Sequence, residues 1–284
     1  MEIALSKEPK GRSIRLRTFN GAVLGSPISH SLSPVIHQVA YECLEISAKY
    51  TAVEVKSGNL ARYLESTPPE LNSFSLTMPL KEELVDLGFP TSELAKRIRS
   101  ANTLIKVGDS WKVESTDVVG FQQSVAAKTN ATFQNVLILG GGATARAAIA
   151  AFDSVGVSID VASRSEHRSA SLIKSALFAS VSVIAFDDQI IWSKYDLIIN
   201  TSPAGAADEL VGKIAGASAL LFESLYNPWP TALMGFWRNV GLETIDGLDL
   251  LVHQAISQVA IFAGTSVKRS QLAPLMREAA LKRL

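Results

Sequence analysis

The sequence predicts an α/β fold with mainly parallel sheets, and three observations carry that prediction. Short apolar runs alternate with helix-patterned stretches along most of the chain, the pattern of strand–helix–strand units. One run, Val136-Leu137-Ile138-Leu139, is apolar at every position, as a parallel strand buried on both faces must be. It leads directly into Gly140-Gly141-Gly142-Ala143-Thr144-Ala145, a G-x-G-x-x-A loop, and then into a helix expected over 146–154. The chain has 284 residues. At roughly 150 residues per domain this suggests about two domains, each large enough to bury its own core.

Taken in order, residues 1–18 are a polar lead-in carrying Lys7, Lys10, Arg12, Arg15 and Arg17. They show no periodicity and are expected to fray; without an apolar stretch they are no secretory signal. Ala22-Val23-Leu24 reads as a strand running into the turn Gly25-Ser26-Pro27. Ser33-Pro34 then opens a helix, with serine expected at the N-cap and proline at the first helical position. Its inner face would hold Val35, Ile36, Val39, Ala40 and Cys43. Further strands are expected at 50–55 and 72–76, the latter ending at Thr77-Met78-Pro79. After the glycine loop come strands at 157–162, at 196–200 with the loop Thr201-Ser202-Pro203-Ala204-Gly205, and at 219–223. Residues 119–246 therefore read as one doubly wound, Rossmann-like nucleotide-binding domain. A long helical pattern over 247–264 has no strand of its own and is expected to return to the first unit. That makes residues 1–118 and 247–284 a discontinuous α/β substrate domain around an inserted cofactor domain.

Composition excludes several classes. Lys+Arg number 27 and Asp+Glu 27, so the chain lacks the basic excess that non-specific nucleic-acid binding requires. No apolar run reaches the roughly 18 residues of a membrane-spanning helix. One cysteine, Cys43, permits no internal disulfide and fits a reducing compartment. A cytoplasmic protein with no nucleic-acid or membrane partner is expected.

The glycine loop indicates a dinucleotide site because it lies between a buried strand and a helix. Gly140 allows the tight turn, Gly142 lets the backbone approach a pyrophosphate, and Ala145 is small enough for close helix–strand packing. Helix-start N–H groups beside Gly141 and Ala143 would face the phosphates. At the end of the next strand NAD sites carry an acid for the ribose hydroxyl. Here stand Ser163-Arg164-Ser165 and then Arg168, which suit a ribose 2′-phosphate through charge-assisted hydrogen bonds. The expected cofactor is NADP; the alternative is two arginines on a solvated helix end. The four histidines, His30, His37, His167 and His253, form no recognisable metal-ligand cluster and read as structural or surface residues.

The first unit gathers polar residues at its predicted strand ends, where α/β proteins place ligands. Ser31, Ser33, Thr77, Lys81, Asn102 and Asp117 each have an ordinary explanation singly, as a helix cap, a turn residue or a surface lysine. In combination, Gly25-Ser26-Pro27-Ile28-Ser29-His30-Ser31-Leu32-Ser33-Pro34, Ser75-Leu76-Thr77-Met78-Pro79-Leu80-Lys81, Ala101-Asn102-Thr103-Leu104 and Thr116-Asp117 resemble the shikimate dehydrogenase family in order and spacing. So do Tyr226-Asn227-Pro228-Trp229-Pro230-Thr231 and Gly247-Leu248-Asp249-Leu250-Leu251-Val252-His253-Gln254. The resemblance spans about residues 22 to 264.

That resemblance implies reversible, NADP-linked reduction of 3-dehydroshikimate to shikimate on the way to aromatic amino acids. It implies Lys81 and Asp117 as the catalytic pair and Ser31, Ser33, Thr77, Asn102 and Gln254 as substrate-binding groups. Tyr226 and Gly247 would line the junction between substrate and nicotinamide, and Thr201 and Ser202 would belong to the cofactor loop. The chain departs from the family pattern at Val118, Ser75, Ala143 and Ser163. A quinate or dual quinate/shikimate dehydrogenase, often NAD-linked, is the near alternative. Ser33, where quinate-preferring relatives frequently carry threonine, and the arginines at 164 and 168 favour shikimate and NADP. A non-catalytic sensor of NADP and a ring acid would not need both Lys81 and Asp117. The expected partner is a small-molecule substrate, and the protein a monomer or homodimer.

Overall fold

A computed structural model describes residues 19–187 and 189–284; the lead-in over 1–18 lies outside the described residues. In chain order it runs β1 (Phe19–Gly25), α1 (Ser33–Cys43), β2 (Ala48–Glu54), α2 (Leu60–Glu65), β3 (Leu71–Leu76), α3 (Leu80–Asp86), α4 (Glu93–Ile98), β4 (Thr103–Val107) and β5 (Ser110–Glu114). It continues with α5 (Asp117–Lys128), β6 (Asn135–Leu139), α6 (Ala143–Ala151), β7 (Ser158–Ala162), α7 (Ser169–Ile173), β8 (Ser180–Ile184), β9 (Leu197–Asn200) and α8 (Asp208–Val211). The last elements are β10 (Leu220–Glu223), α9 (Ala232–Asn239), β11 (Thr244–Ile245), α10 (Gly247–Ala263) and α11 (Arg269–Leu281).

Two sheets result. The first has the order β2-β1-β3-β4-β5; β2, β1 and β3 are parallel, whereas β4 and β5 run antiparallel. Pairing is mainly parallel, as expected, except at this edge, where a two-residue Gly108-Asp109 connection makes a hairpin. The second sheet is parallel throughout, in the order β11-β10-β9-β6-β7-β8. Counted from β6 this is 3-2-1-4-5-6, the doubly wound order, with its switch point between β6 and β9.

The fully apolar strand explains the layering of that sheet. Val136 and Ile138 pack on one side with α5, α6 and α7 through Phe121, Ile149 and Leu172. Leu137 and Leu139 pack on the other with Trp192, Leu233 and Trp237. The first sheet is also covered on both faces. Val23 and Tyr50 meet α1, α10 and α11, while Leu24, Phe74 and Leu76 meet α2, α3 and α4.

Helix α1 corrects two details of the reading. Its N-cap is Leu32, with Ser33 already helical and no side-chain cap; the Ser33 N–H instead donates to Ser31 Oγ at 3.3 Å. Cys43 is exposed. The inner face is Ser33, Ile36, His37, Ala40 and Tyr41, the i, i+3, i+4, i+7, i+8 stripe of an amphipathic helix. The helix after the glycine loop begins at Ala143, three residues earlier than expected, with Gly142 as its N-cap.

Two helices cross between the sheets. Asp117 opens α5 beside the first sheet, while Phe121 and Val125 further along lie in the core of the second. α10 reverses the path: Leu250 joins the second sheet's core, and Leu248, Val252, Ile256 and Val259 join the first's. Gly120 lets these helices touch, because a Cβ there would stand 3.0 Å from Gln254 Cβ and from Leu250 Cδ1. The close approach sets Gln254 beside the N-terminal turn of α5.

Candidate active site

The site is assembled from chain segments at the carboxyl ends of the parallel strands, where open α/β sheets bind ligands. In the second sheet the glycine loop follows β6 and the loop Thr201-Ser202-Pro203 follows β9, so the two flank the switch point. Gly140 has φ +104°, and a Cβ there would meet Ser202 N at 2.9 Å and Thr201 C at 3.0 Å; both the backbone conformation and the contact demand glycine. The second loop is pinned to β6, with Thr201 N and Oγ1 donating to Leu139 O at 2.8 and 2.9 Å. Asn200 Oδ1 accepts from Ser202 Oγ at 2.6 Å, and Asn200 Nδ2 donates to the buried Glu223 at 2.9 Å. Burial pushes the Glu223 carboxyl above the usual carboxylate range.

These loops line a cleft of about 500 Å³. All the residues expected at the cofactor, Gly247 excepted, border it: Gly140, Gly141, Gly142, Ala143, Ser163, Arg164, Ser165, Arg168, Thr201 and Ser202. Arg168 Nη1 reaches Gly141 O at 3.4 Å, and the Arg164 guanidinium lies 5.7 Å from the centre of the Phe186 ring. Ser163 Oγ accepts from Ser165 N at 3.2 Å and backs on to Gly141, where a Cβ would come within 2.6 Å of it. Thr77, Met78 and Pro79 of the first sheet's β3–α3 connection and Lys81 and Glu82 of the first turn of α3 form the facing wall.

Lys81, in the first turn of α3, donates from Nζ to Asp117 Oδ2 at 2.6 Å. The lysine side chain is 16% exposed and the aspartate 5%. Asp117 Oδ1 accepts from Asn102 Nδ2 at 2.9 Å. The same amide group lies 2.9 Å from Thr116 Oγ1 and 3.0 Å from Gln254 Oε1, and Asn102 Oδ1 accepts from Thr116 N at 2.8 Å. Helices α3, α5 and α10 and the start of β4 thus converge on one buried asparagine. Asp117 also occupies the first residue of α5, where the helix dipole favours an anion.

Behind Asn102 lies a second layer that sequence reasoning missed. Gln258 Nε2 donates to Asn102 O at 2.8 Å and to Thr103 Oγ1 at 3.1 Å. Gln258 Oε1 can only accept, so the buried His37 must carry its proton on Nε2, 3.3 Å away. His37 Nδ1 then accepts from Tyr41 Oη at 2.9 Å. Burial lowers the His37 pKa to about 3, so the ring is neutral, and it stacks on Tyr50 at 4.0 Å. A signal was available: Gln254 and Gln258 are glutamines one helical turn apart in the long helical pattern over 247–264.

The remaining expected residues form a neighbouring group. Tyr226 lies beside Ser31 and Leu32, and burial pushes its pKa up. Ser31 in turn holds the Ser33 N–H. Gly247 opens α10 against the Tyr226 segment, since a Cβ there would lie 2.4 Å from Leu225 C and O. Ser75 is buried, with its hydroxyl on that of Tyr50. Val118 belongs to the core beneath the second sheet. His30 and His167 are exposed and His37 and His253 buried. Among the described residues no group of three or more His, Cys, Asp or Glu could hold a metal ion.

A glycine loop at the switch point of a 3-2-1-4-5-6 sheet, facing a lysine–aspartate pair on helices beside the other sheet, defines a two-sheet protein of the dinucleotide-binding class. A sequence profile for the shikimate dehydrogenase substrate binding domain matches residues 23–104. Shikimate dehydrogenase (NADP(+)) of Prochlorococcus marinus (strain AS9601) is 30% identical over 261 residues, covering 85% of this chain and 90% of that protein. The crystal structure of Mycobacterium tuberculosis shikimate dehydrogenase superposes with a TM-score of 0.79 at 29% identity, covering 91% of this chain and 98% of the other. The Thermus thermophilus shikimate 5-dehydrogenase, solved in complex with NADP(H) and shikimate, gives 0.81 at 25% identity, covering 94% and 100%. The chain belongs to the shikimate dehydrogenase family.

Proposed function

We propose that this protein is an NADP-dependent shikimate dehydrogenase, reversibly reducing 3-dehydroshikimate to shikimate in aromatic amino acid biosynthesis. One observation carries the reading. Lys81 belongs both to the buried Asn102–Asp117–Gln254 cluster and to the wall of the cleft lined by the glycine loop. The likeness to the NADP(+)-dependent relative and to the structure holding NADP(H) and shikimate supports it.

The cleft fits NADP. A Cβ would fill the cradle at Gly140 and Gly141, and Arg164 and Arg168 border the end of β7 with serines in place of an acid. Backbone N–H groups from Gly141 to Thr144 would hold the pyrophosphate, and the two arginines the 2′-phosphate. When bound, the nicotinamide supplies or takes up the hydride.

Lys81 then acts at the substrate oxygen. Negative charge grows on that oxygen as the carbonyl is reduced, and an ammonium both stabilises it and donates the proton. Asp117 orients Lys81 and accepts from a substrate hydroxyl; in the reverse direction the pair takes the proton back. Asn102, Gln254 and Thr77 suit the hydroxyls of a ring substrate, and Ser31 and Ser33, at the start of α1, suit its carboxylate. Tyr226 and Gly247 border the junction of ring and nicotinamide. We assign residues 1–118 and 247–284 to the substrate domain and 119–246 to the cofactor domain, in a cytoplasmic protein acting as a monomer or homodimer. No helix among the described residues is long and apolar enough to cross a membrane.

The test offers the pure protein shikimate or quinate with NADP+ or NAD+ in all four pairings and follows nicotinamide absorbance. Fastest reduction in the shikimate–NADP+ pairing is expected. Faster quinate turnover would transfer the reading to quinate dehydrogenase, and no signal in any pairing would favour a sensor.

A further inference from the structure

Arg146 lies in the first turn of α6, four residues after Gly142, yet its side chain is only 4% exposed. Its guanidinium leaves its own unit. Nε donates to Ile98 O at 2.6 Å, and Nη2 donates to Arg99 O at 3.0 Å and to Glu82 Oε1 at 2.6 Å. Ile98 and Arg99 close α4, whose last carbonyls lack intrahelical partners and carry the negative end of the helix dipole. Glu82 directly follows Lys81 on α3. A cation in the first turn of its own helix is unfavourably placed, so these bonds, and not the needs of α6, account for Arg146. A second tie runs parallel to the first: Arg97 Nη1 on α4 reaches Asp153, just past the end of α6, at 3.0 Å.

We infer that Arg146 is a positioning residue that fixes the spacing between the glycine loop on α6 and Lys81 on α3. The inference rests on the dehydrogenase reading above. Hydride and proton must reach the two ends of one carbonyl, one from the cleft on the α6 side and the other from the α3 side. The guanidinium fork clamps those two helices through α4 and Glu82, so its loss would loosen the distance over which hydride passes. Displacements of about 1 Å in such a geometry can lower rates by about 10²-fold.

The test uses the full chain and compares wild type with Arg146→Lys, Glu82→Ala and Glu82→Gln. It measures kcat, KM for shikimate, thermal midpoint, and the isotope effect from deuterium at the transferred position. Lysine keeps the charge but cannot span both carbonyls and Glu82. Arg146→Lys should lower kcat by about tenfold, leave KM within about twofold and raise the isotope effect, as hydride transfer becomes more limiting. Glu82→Ala, at a half-exposed side chain, should lower kcat by about threefold in the same manner, with Glu82→Gln recovering part of it. Wild-type kcat and isotope effect in folded Arg146→Lys and Glu82→Ala would overturn the inference. So would a fall in kcat that merely tracks the folded fraction with the isotope effect unchanged. Should Arg146→Lys not fold, the Glu82 pair decides alone. A wild type that transfers no hydride would overturn the dehydrogenase reading itself, and the inference with it.

Discussion

Lys81 is a largely buried cation with one carboxylate partner at 2.6 Å and a place on the wall of the glycine-lined cleft. Lys81→Ala should lower turnover by roughly 10²–10⁴-fold, the usual loss when general acid–base help is removed; steady-state assay checks it, and near-normal turnover would remove the lysine from the chemistry. Arg164→Ala should weaken NADP+ far more than NAD+, which lacks the 2′-phosphate, and paired titrations of the two cofactors read the difference. Lys81, Asp117, Asn102 and Gln254 were legible because each sits in a motif long enough to be distinctive. Gln258 was not read, and His37 was read only as a structural or surface residue, because what they do depends on the tertiary packing that brings them behind Asn102.

At the scale of elements, the strand β6 and its glycine loop were the clearest features of the chain, since an unbroken apolar run and G-x-G-x-x-A leave few alternatives. Gly140→Ala puts a side chain at φ +104° and against the Ser202 backbone. It should cost at least about 1–2 kcal/mol of stability and weaken NADP+ binding by displacing the 201–203 loop, read by denaturant midpoint and cofactor titration. The β4–β5 hairpin was not read, although a Gly-Asp pair between two short runs is a hairpin signal, because the helix–strand alternation elsewhere pointed to parallel pairing. The inner face of α1 could not be fixed from hydrophobicity alone. Cys43 is apolar but exposed, while His37 and Tyr41 are polar but buried because each finds a hydrogen-bond partner, which is what burial of a polar group requires.

At the scale of the whole molecule, α5 and α10 cross between the two sheets and touch at Gly120, so the Lys81–Asp117–Asn102–Gln254 cluster and both cores share the same helices. Stability should therefore respond to the groups buried behind the site. His37 is held neutral by burial, with its pKa lowered from 6.5 to about 3. Below pH 6.5 the unfolded chain takes up a proton that the folded chain refuses, so the stability present above 6.5 is lost progressively as pH falls towards 3. The loss between pH 6.5 and 5 is about 2 kcal/mol from this ring; urea midpoints at the two pH values measure it, and a His37→Gln variant should show a shallower fall. The sum of charges, 27 against 27, says nothing of this or of the anionic ligands, because the arginines, Lys81 and helix starts that would hold them act locally. The central claim is that hydride passes across this cleft to a ring ketone that Lys81 protonates. Its most direct test supplies 3-dehydroshikimate with NADPH carrying deuterium at both hydrogens of the hydride-donating carbon and weighs the product. One deuterium in newly formed shikimate is predicted; unlabelled shikimate, or none at all, would contradict the account.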